Sequence, residues 1–105
     1  MTAIVHFEVQ IDPAYREDAA KYLSETLTAT RAWPGNQGIE ALVDDADPCH
    51  ILVVETWATT QDHADYAAWR ATPEGKSALH AVLAAKPSKQ VYSTTLPLTL
   101  QESQG

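Results

Sequence analysis

Cysteine, methionine and phenylalanine occur once each in 105 residues, and glycine four times. The lone Cys49 leaves no partner for an intrachain disulfide and no cysteine set for zinc, and a single thiol fits a reducing cytosol. Positive charge is also scarce, with 7 Lys and Arg against 14 Asp and Glu and a formal net charge of -7. Gripping a phosphate backbone requires clustered Lys and Arg that displace counterions, so this balance argues against a nucleic-acid partner and against docking on anionic membranes. No stretch approaches the ~20 apolar residues of a membrane span. The opening Met1-Thr-Ala-Ile-Val-His-Phe-Glu lacks the basic segment and apolar run of a secretory signal. A cytoplasmic protein is therefore expected, whose partner is a small molecule or another copy of the chain.

What is present is enough for one core. Residues from about 3 to 11 alternate with period two, setting Val5, Phe7, Val9 and Ile11 against His6, Glu8 and Gln10, which predicts a half-buried strand. Asp12-Pro13 supplies an N-cap and the proline favoured at a first helical position. Tyr15, Ala19, Tyr22, Leu23 and Leu27 carry helical spacing to about Arg31, and Trp33-Pro34-Gly35-Asn36-Gln37-Gly38 stops it. Ile39–Val43 reads as a second strand, residues 44–48 as a turn, and His50–Trp57 as a third strand with Ile51, Val53 and Trp57 on one side and Leu52 and Val54 on the other. Thr59 or Thr60 caps a second helix over about 61–71. Pro73 opens a further helical piece with Ala78, Leu79, Val82 and Leu83 as its stripe, ended by Pro87. Gln90–Leu96 is the predicted fourth strand.

The order β-α-β-β-α-β is the ferredoxin-like split βαβ unit, an α+β fold with a four-stranded antiparallel sheet. A single domain over residues 1–97 followed by a polar tail over 98–105 is expected. Helices cover only one face of such a sheet, yet the third strand is apolar on both, so the open face is expected to close against a second copy as a dimeric α+β barrel.

Fold leaves the chemistry open. RNA-recognition modules share this order but need exposed strand aromatics in a basic surround, and metal-carrying relatives use a C-x-x-C loop that is missing here. Gly35-Asn-Gln-Gly38 opens a strand rather than a helix, so it is a turn and not a phosphate cradle. No histidine pair has the i, i+4 spacing of helical zinc ligands, and no metal or other cofactor is expected. His6, with Glu8 on its face, reads as an interface histidine. His50 reads as exposed, and Cys49 as an idle thiol. His63, Tyr66 and Arg70 share one side of the second helix, which is either a solvated face or a pocket wall. His80 lies one position off the last apolar stripe. Glu8, Glu40 and Glu55 stand inside strands, where a carboxylate needs an ion pair or a water-filled cavity, or else serves as a base of raised pKa.

Glu55-Thr-Trp57 through Trp69-Arg70-Ala-Thr72-Pro73 resembles the antibiotic biosynthesis monooxygenase family of dimeric α+β barrels, and the resemblance extends over roughly residues 3–96. It includes the Pro34-Gly35 turn, the strand ending E-x-W, the Tyr66-Ala-Ala-Trp69-Arg70 helix and Val91-Tyr92. The family contains cofactor-free oxygenases of quinols and polyketide phenols, haem-degrading enzymes and members of no known activity. Trp57 matches the tryptophan of the polyketide oxidisers, while their asparagine, tyrosine and arginine positions fall on Val53, His63 and His80. Trp69 stands where many quinol oxidisers carry histidine. Trp69 and His80 resemble the pocket tryptophan and proximal histidine of the haem degraders.

Three readings follow. The first is a cofactor-independent monooxygenase oxidising a quinol or polyketide-type phenol with O₂. Its proton acceptor is His63 or His80, since a neutral histidine titrates near working pH. Trp57, Tyr66 and Trp69 then bind the substrate. The second is a haem-binding or haem-degrading protein using Trp69 and His80. The third is a non-catalytic dimeric binder of a small hydrophobic molecule, whose pocket is filled by its own side chains and whose His63 and His80 lie on open surface.

Overall fold

The computed structural model describes residues 2–101, so residues 102–105 of the expected tail lie outside the described residues. Four strands, β1 (Ala3–Gln10), β2 (Asn36–Asp44), β3 (Asp47–Trp57) and β4 (Ser88–Tyr92), form one antiparallel sheet in the order β2-β3-β1-β4. Two helices, α1 (Ala19–Ala32) and α2 (Thr60–Arg70), pack on one face. This is the predicted ferredoxin-like α+β fold. Among the described residues no helix is long and apolar enough to cross a membrane.

The alternation read from β1 and β3 is realised directly. Val5, Val9, Ile51, Val53 and Trp57 are buried under the helices, where Ala19 and Leu23 of α1 and Tyr66 of α2 meet them. The open face carries Ile4, Leu52 and Val54, half-buried, with Leu42 and Tyr92 exposed beside them. His6 sits on this face against Tyr92, with ring centroids 5.2 Å apart.

Four local expectations differ. Pro13–Asp18 forms a 3-10 turn before α1 rather than its first turns. None of its six residues is buried, so no core contact draws the segment into regular α geometry, although Asp12 caps it as expected through Ala14 N–H at 3.0 Å. The turn between β2 and β3 tightens to Asp45-Ala46, because Asp44 and Asp47 accept the N–H groups of Ala46 (2.8 Å) and Cys49 (2.9 Å) and the strands run on to meet at Asp44↔Asp47.

The helix expected from Pro73 is absent. A 3-10 turn at Ala78–Val82, capped by Ser77, takes its place. Gly75 lies directly on the Trp69 carbonyl, where a Cβ has no room, and its own carbonyl is held by Arg70 at 3.1 Å, so neither group is available to a helix. β4 begins at Ser88 and ends at Tyr92, not at Leu96. Tyr92 pairs with Ile4, close to where β1 begins, and beyond it no strand remains to pair with.

One turn ties the sheet to the site. Gly35, at φ 92°, adopts the left-handed conformation that suits glycine, lies against the Asp62 side chain of α2, and accepts the Ala58 N–H at 2.7 Å. The end of α1 is thereby fastened to the junction between β3 and α2.

Candidate functional site

β3 delivers Glu55 and Trp57 to the helix-covered face, two residues apart on a period-two strand. Trp57 is fully buried, and its Nε1–H donates to Glu55 Oε1 at 3.0 Å. Thr59 caps α2 by accepting the Asp62 N–H at 3.0 Å, which sets the helix phase immediately after the strand. That phase places His63, Tyr66 and Arg70 along the inward side.

Arg70 organises the space between α1, α2 and the Gly75 turn. It donates from Nε to the Tyr66 hydroxyl (2.7 Å), from one terminal nitrogen to the Gly75 carbonyl, and from the other to the Thr26 carbonyl (2.7 Å) and Thr30 Oγ1 (3.2 Å). Its guanidinium lies 4.8 Å from the Trp69 ring centre. Thr30 Oγ1 also lies 2.6 Å from the Tyr66 hydroxyl and 3.3 Å from the Thr26 carbonyl. Arginine only donates, so the Tyr66 oxygen accepts from it and sends its own proton to Thr30, whose proton goes to Thr26. Every acceptor of Arg70 is neutral. Among the described residues no carboxylate comes within 4.0 Å of it, and a part-buried positive charge stands without a contact counter-ion.

A cavity of about 240 Å³ opens beside this network. Glu55 forms its floor, Tyr66 and Arg70 one wall, Thr26 and Leu27 of α1 the other, and His80 and Lys89 stand at the exposed rim. Glu55 is 4% exposed, and burial raises its carboxyl pKa against the opposing Trp57 hydrogen bond and the charges of Lys89 and Arg70. A second concavity, about 1110 Å³, runs between α1 and β2. It is larger but is an open, apolar groove with Arg16 and Arg31 as its only charged lining, so it offers no acid–base chemistry.

The five residues singled out from the sequence separate. Tyr66 and His80 line the cavity. Trp57 lies one hydrogen bond behind Glu55. Trp69 is outside, between Arg70 and Trp33, whose ring centre is 5.0 Å away. His63 is outside too, buried edge-on against Trp57 at 5.6 Å, with Nε2 lacking any partner among the described residues. Burial, and then the charge of Lys89, lower its pKa.

Thr26, Thr30 and Lys89 are further members of the site that the sequence reading does not single out. Thr30 continues the Leu23, Leu27 stripe at helical spacing, whereas Lys89 precedes Gln90, the expected start of β4. An apolar cavity of roughly 150 Å³ holds benzene, so about 240 Å³ suits one or two rings. A haem macrocycle does not fit it, and Trp69 and His80 do not share it. Among the described residues no group of three or more His, Cys, Asp or Glu is arranged for a metal.

The model of the family described as antibiotic biosynthesis monooxygenase matches residues 2–81. The chain belongs to that family. Its fold is shared by SnoaB, a cofactor-independent oxygenase from Streptomyces nogalater, with TM-score 0.74 at 12% identity over 92% of this chain and 96% of that one. A conserved protein from Methanosarcina mazei superposes with TM-score 0.76 at 12% identity, over 90% and 94% of the two chains. Rv0793 from Mycobacterium tuberculosis does so with TM-score 0.73 at 14% identity, over 94% and 100%. At these identities the likeness establishes the fold of this family member. No curated protein matches it significantly.

Proposed function

We propose that this family member is a cofactor-independent monooxygenase that oxidises a one- or two-ring quinol or phenol with O₂ and works as a homodimer. The observation that carries the reading is the cavity in which a buried carboxylate faces the same small space as a guanidinium that has no contact carboxylate among the described residues. A phenol that gives up its proton becomes an electron donor for O₂, and a fixed cation in a poorly solvated site stabilises the anion. One electron passes to O₂, and the phenoxyl radical and superoxide combine at a ring carbon ortho or para to the oxygen. The resulting peroxide is protonated and its O–O bond breaks as the C–H proton leaves. One oxygen atom stays as a quinone carbonyl and the other departs as water. The substrate supplies all four electrons that reduce O₂, so no flavin or metal is required.

The cavity volume favours a quinol-sized ring over a polycyclic polyketide. Tyr66 holds the aromatic wall and Arg70 the substrate oxygen. His80 stands at the rim, open to water, while His63 and Trp69 act from behind Trp57 and Arg70. The membership of SnoaB in the same fold supports the reaction class. The apolar open face formed by Ile4, Leu42, Leu52, Val54 and Tyr92 supports closure against a second copy. A thermal-shift screen of quinols, fused-ring phenols and haemin, followed by O₂ uptake on the binders, tests the reading. Stabilisation by single-ring quinols with O₂-dependent quinone formation is the expected result; stabilisation by haemin alone overturns it.

A further inference from the structure

We infer that Glu55, rather than either histidine, is the group that takes the phenolic proton. The inference rests on the oxygenase reading of the cavity and names the base within it. Of the titratable groups near the cavity, His80 is on exposed surface at the rim, and His63 packs edge-on against the Trp57 ring, outside the cavity lining. The Tyr66 proton is committed to Thr30 and its oxygen to Arg70, so Tyr66 neither accepts nor delivers a proton without breaking that chain. Glu55 alone lies on the floor.

Its two oxygens are not equivalent. Oε1 accepts the Trp57 indole N–H, which fixes the carboxylate plane. Oε2 accepts no hydrogen bond from any described residue and is not among the sealed polar atoms without partners, so it faces the cavity. The groups packed around it are Val5 and Phe7 of β1, Ile39 of β2, Thr26 and Leu27 of α1, Tyr66 and Arg70 of α2, His80 of the last turn, and Lys89 of β4. The charged ones are cations, Arg70 and Lys89, which oppose proton uptake by Glu55 but equally attract the phenolate that forms beside them. When the phenolic O–H breaks, the proton forms an O–H bond on Oε2 and the negative charge moves to the substrate oxygen beside those cations. No electron leaves at this step, and the charge of the site is unchanged. The same proton later returns to the peroxide oxygen, restoring the carboxylate. A carboxyl whose pKa is raised by burial is closer to a phenol in basicity than an ordinary one, which suits the transfer.

Glu55→Gln tests this, because the amide oxygen can keep the Trp57 bond and the volume is unchanged. On a quinol that the wild-type protein oxidises, kcat is expected to fall about 10²–10⁴-fold with KM nearly constant. An unchanged kcat, or a loss carried by KM alone, overturns the assignment and leaves the oxygenase reading standing. A second measurement does not need turnover. The probe is 4-hydroxyacetophenone, a single-ring phenol whose anion absorbs at longer wavelength than its neutral form. Bound to wild-type protein near neutral pH it is expected to show the anion band with no net proton release, measured by calorimetry in buffers of different ionisation enthalpy. With E55Q the band is expected to vanish, or to appear only with release of about one proton per site. The same proton release in both proteins, or no anion band in the wild type, contradicts the inference, whether or not any quinol is turned over.

Discussion

The two faces of the sheet carry the same residue types in opposite states. On the helix-covered face, Glu55 and His63 are buried, and both are pushed toward their neutral forms by loss of solvent. On the open face, Glu8 and His50 are joined by Asp44, whose carboxylate lies 2.8 Å from His50 Nδ1. That hydrogen bond, with the charges of Asp44, Glu8 and Asp47, raises the His50 pKa. One strand, β3, supplies a member of each pair, with His50 and Glu55 five residues apart and hence on opposite faces. Strand parity, not residue type, puts Glu55 in the dry site and His50 on the open face, and the phase of α2 brings His63 to the buried side.

The comparison breaks first at Trp57. Trp57→Ala removes a fully buried ring that supports Glu55 and is expected to cost about 3–5 kcal/mol in chemical denaturation. Leu52→Lys, on the opposite face of the same strand, is expected instead to leave the monomer fold intact and to shift a dimer to monomer at micromolar concentration, read by light scattering. If Leu52→Lys changes neither mass nor stability, the open face is not the interface. Thr59→Ala removes the cap that phases α2 and is expected to cost about 1 kcal/mol.

The pH dependence sharpens the same contrast at smaller amplitude. The folded protein resists protonating His63, so as pH falls below about 6.5 the unfolded chain gains a proton first and stability is lost. The folded protein retains the His50 proton, so stability falls as pH rises from about 6.5 through the higher folded-state value. Urea unfolding across this range is expected to show that His63→Phe flattens the acid limb and His50→Asn the alkaline one. Exchange of those two effects would refute the assignment of the faces.

Much of this was legible in the chain. The alternation of Val5, Val9 and Ile11, the two-sided apolarity of β3 and the Thr59 cap specify strands and helix phase locally, which is why the fold followed. The late elements did not, because their ends are set by distant partners. Arg70 takes the Gly75 carbonyl from any helix after Pro73, and β4 stops where β1 begins. In the site, Tyr66 and His80 line the cavity, while Trp69 and His63 fall outside its lining. The cavity is bounded by Thr26 and Leu27 of α1, about forty residues from Arg70 in the chain, and no local pattern reports that crossing. Glu55 was visible as an anomaly, an acid in a buried strand, but not as a floor until its two oxygens could be told apart.

The central claim is that this small charged cavity activates a phenol toward O₂ without a cofactor. The most direct test supplies isotopically labelled O₂ to chelator-treated protein and a single-ring quinol, with no flavin or nicotinamide added. The account predicts one O₂ consumed per quinone formed, one labelled atom in the new carbonyl and the other in water. O₂ uptake that ends as hydrogen peroxide with no label in the quinone, or no uptake above the spontaneous rate for a quinol that demonstrably binds, would contradict it.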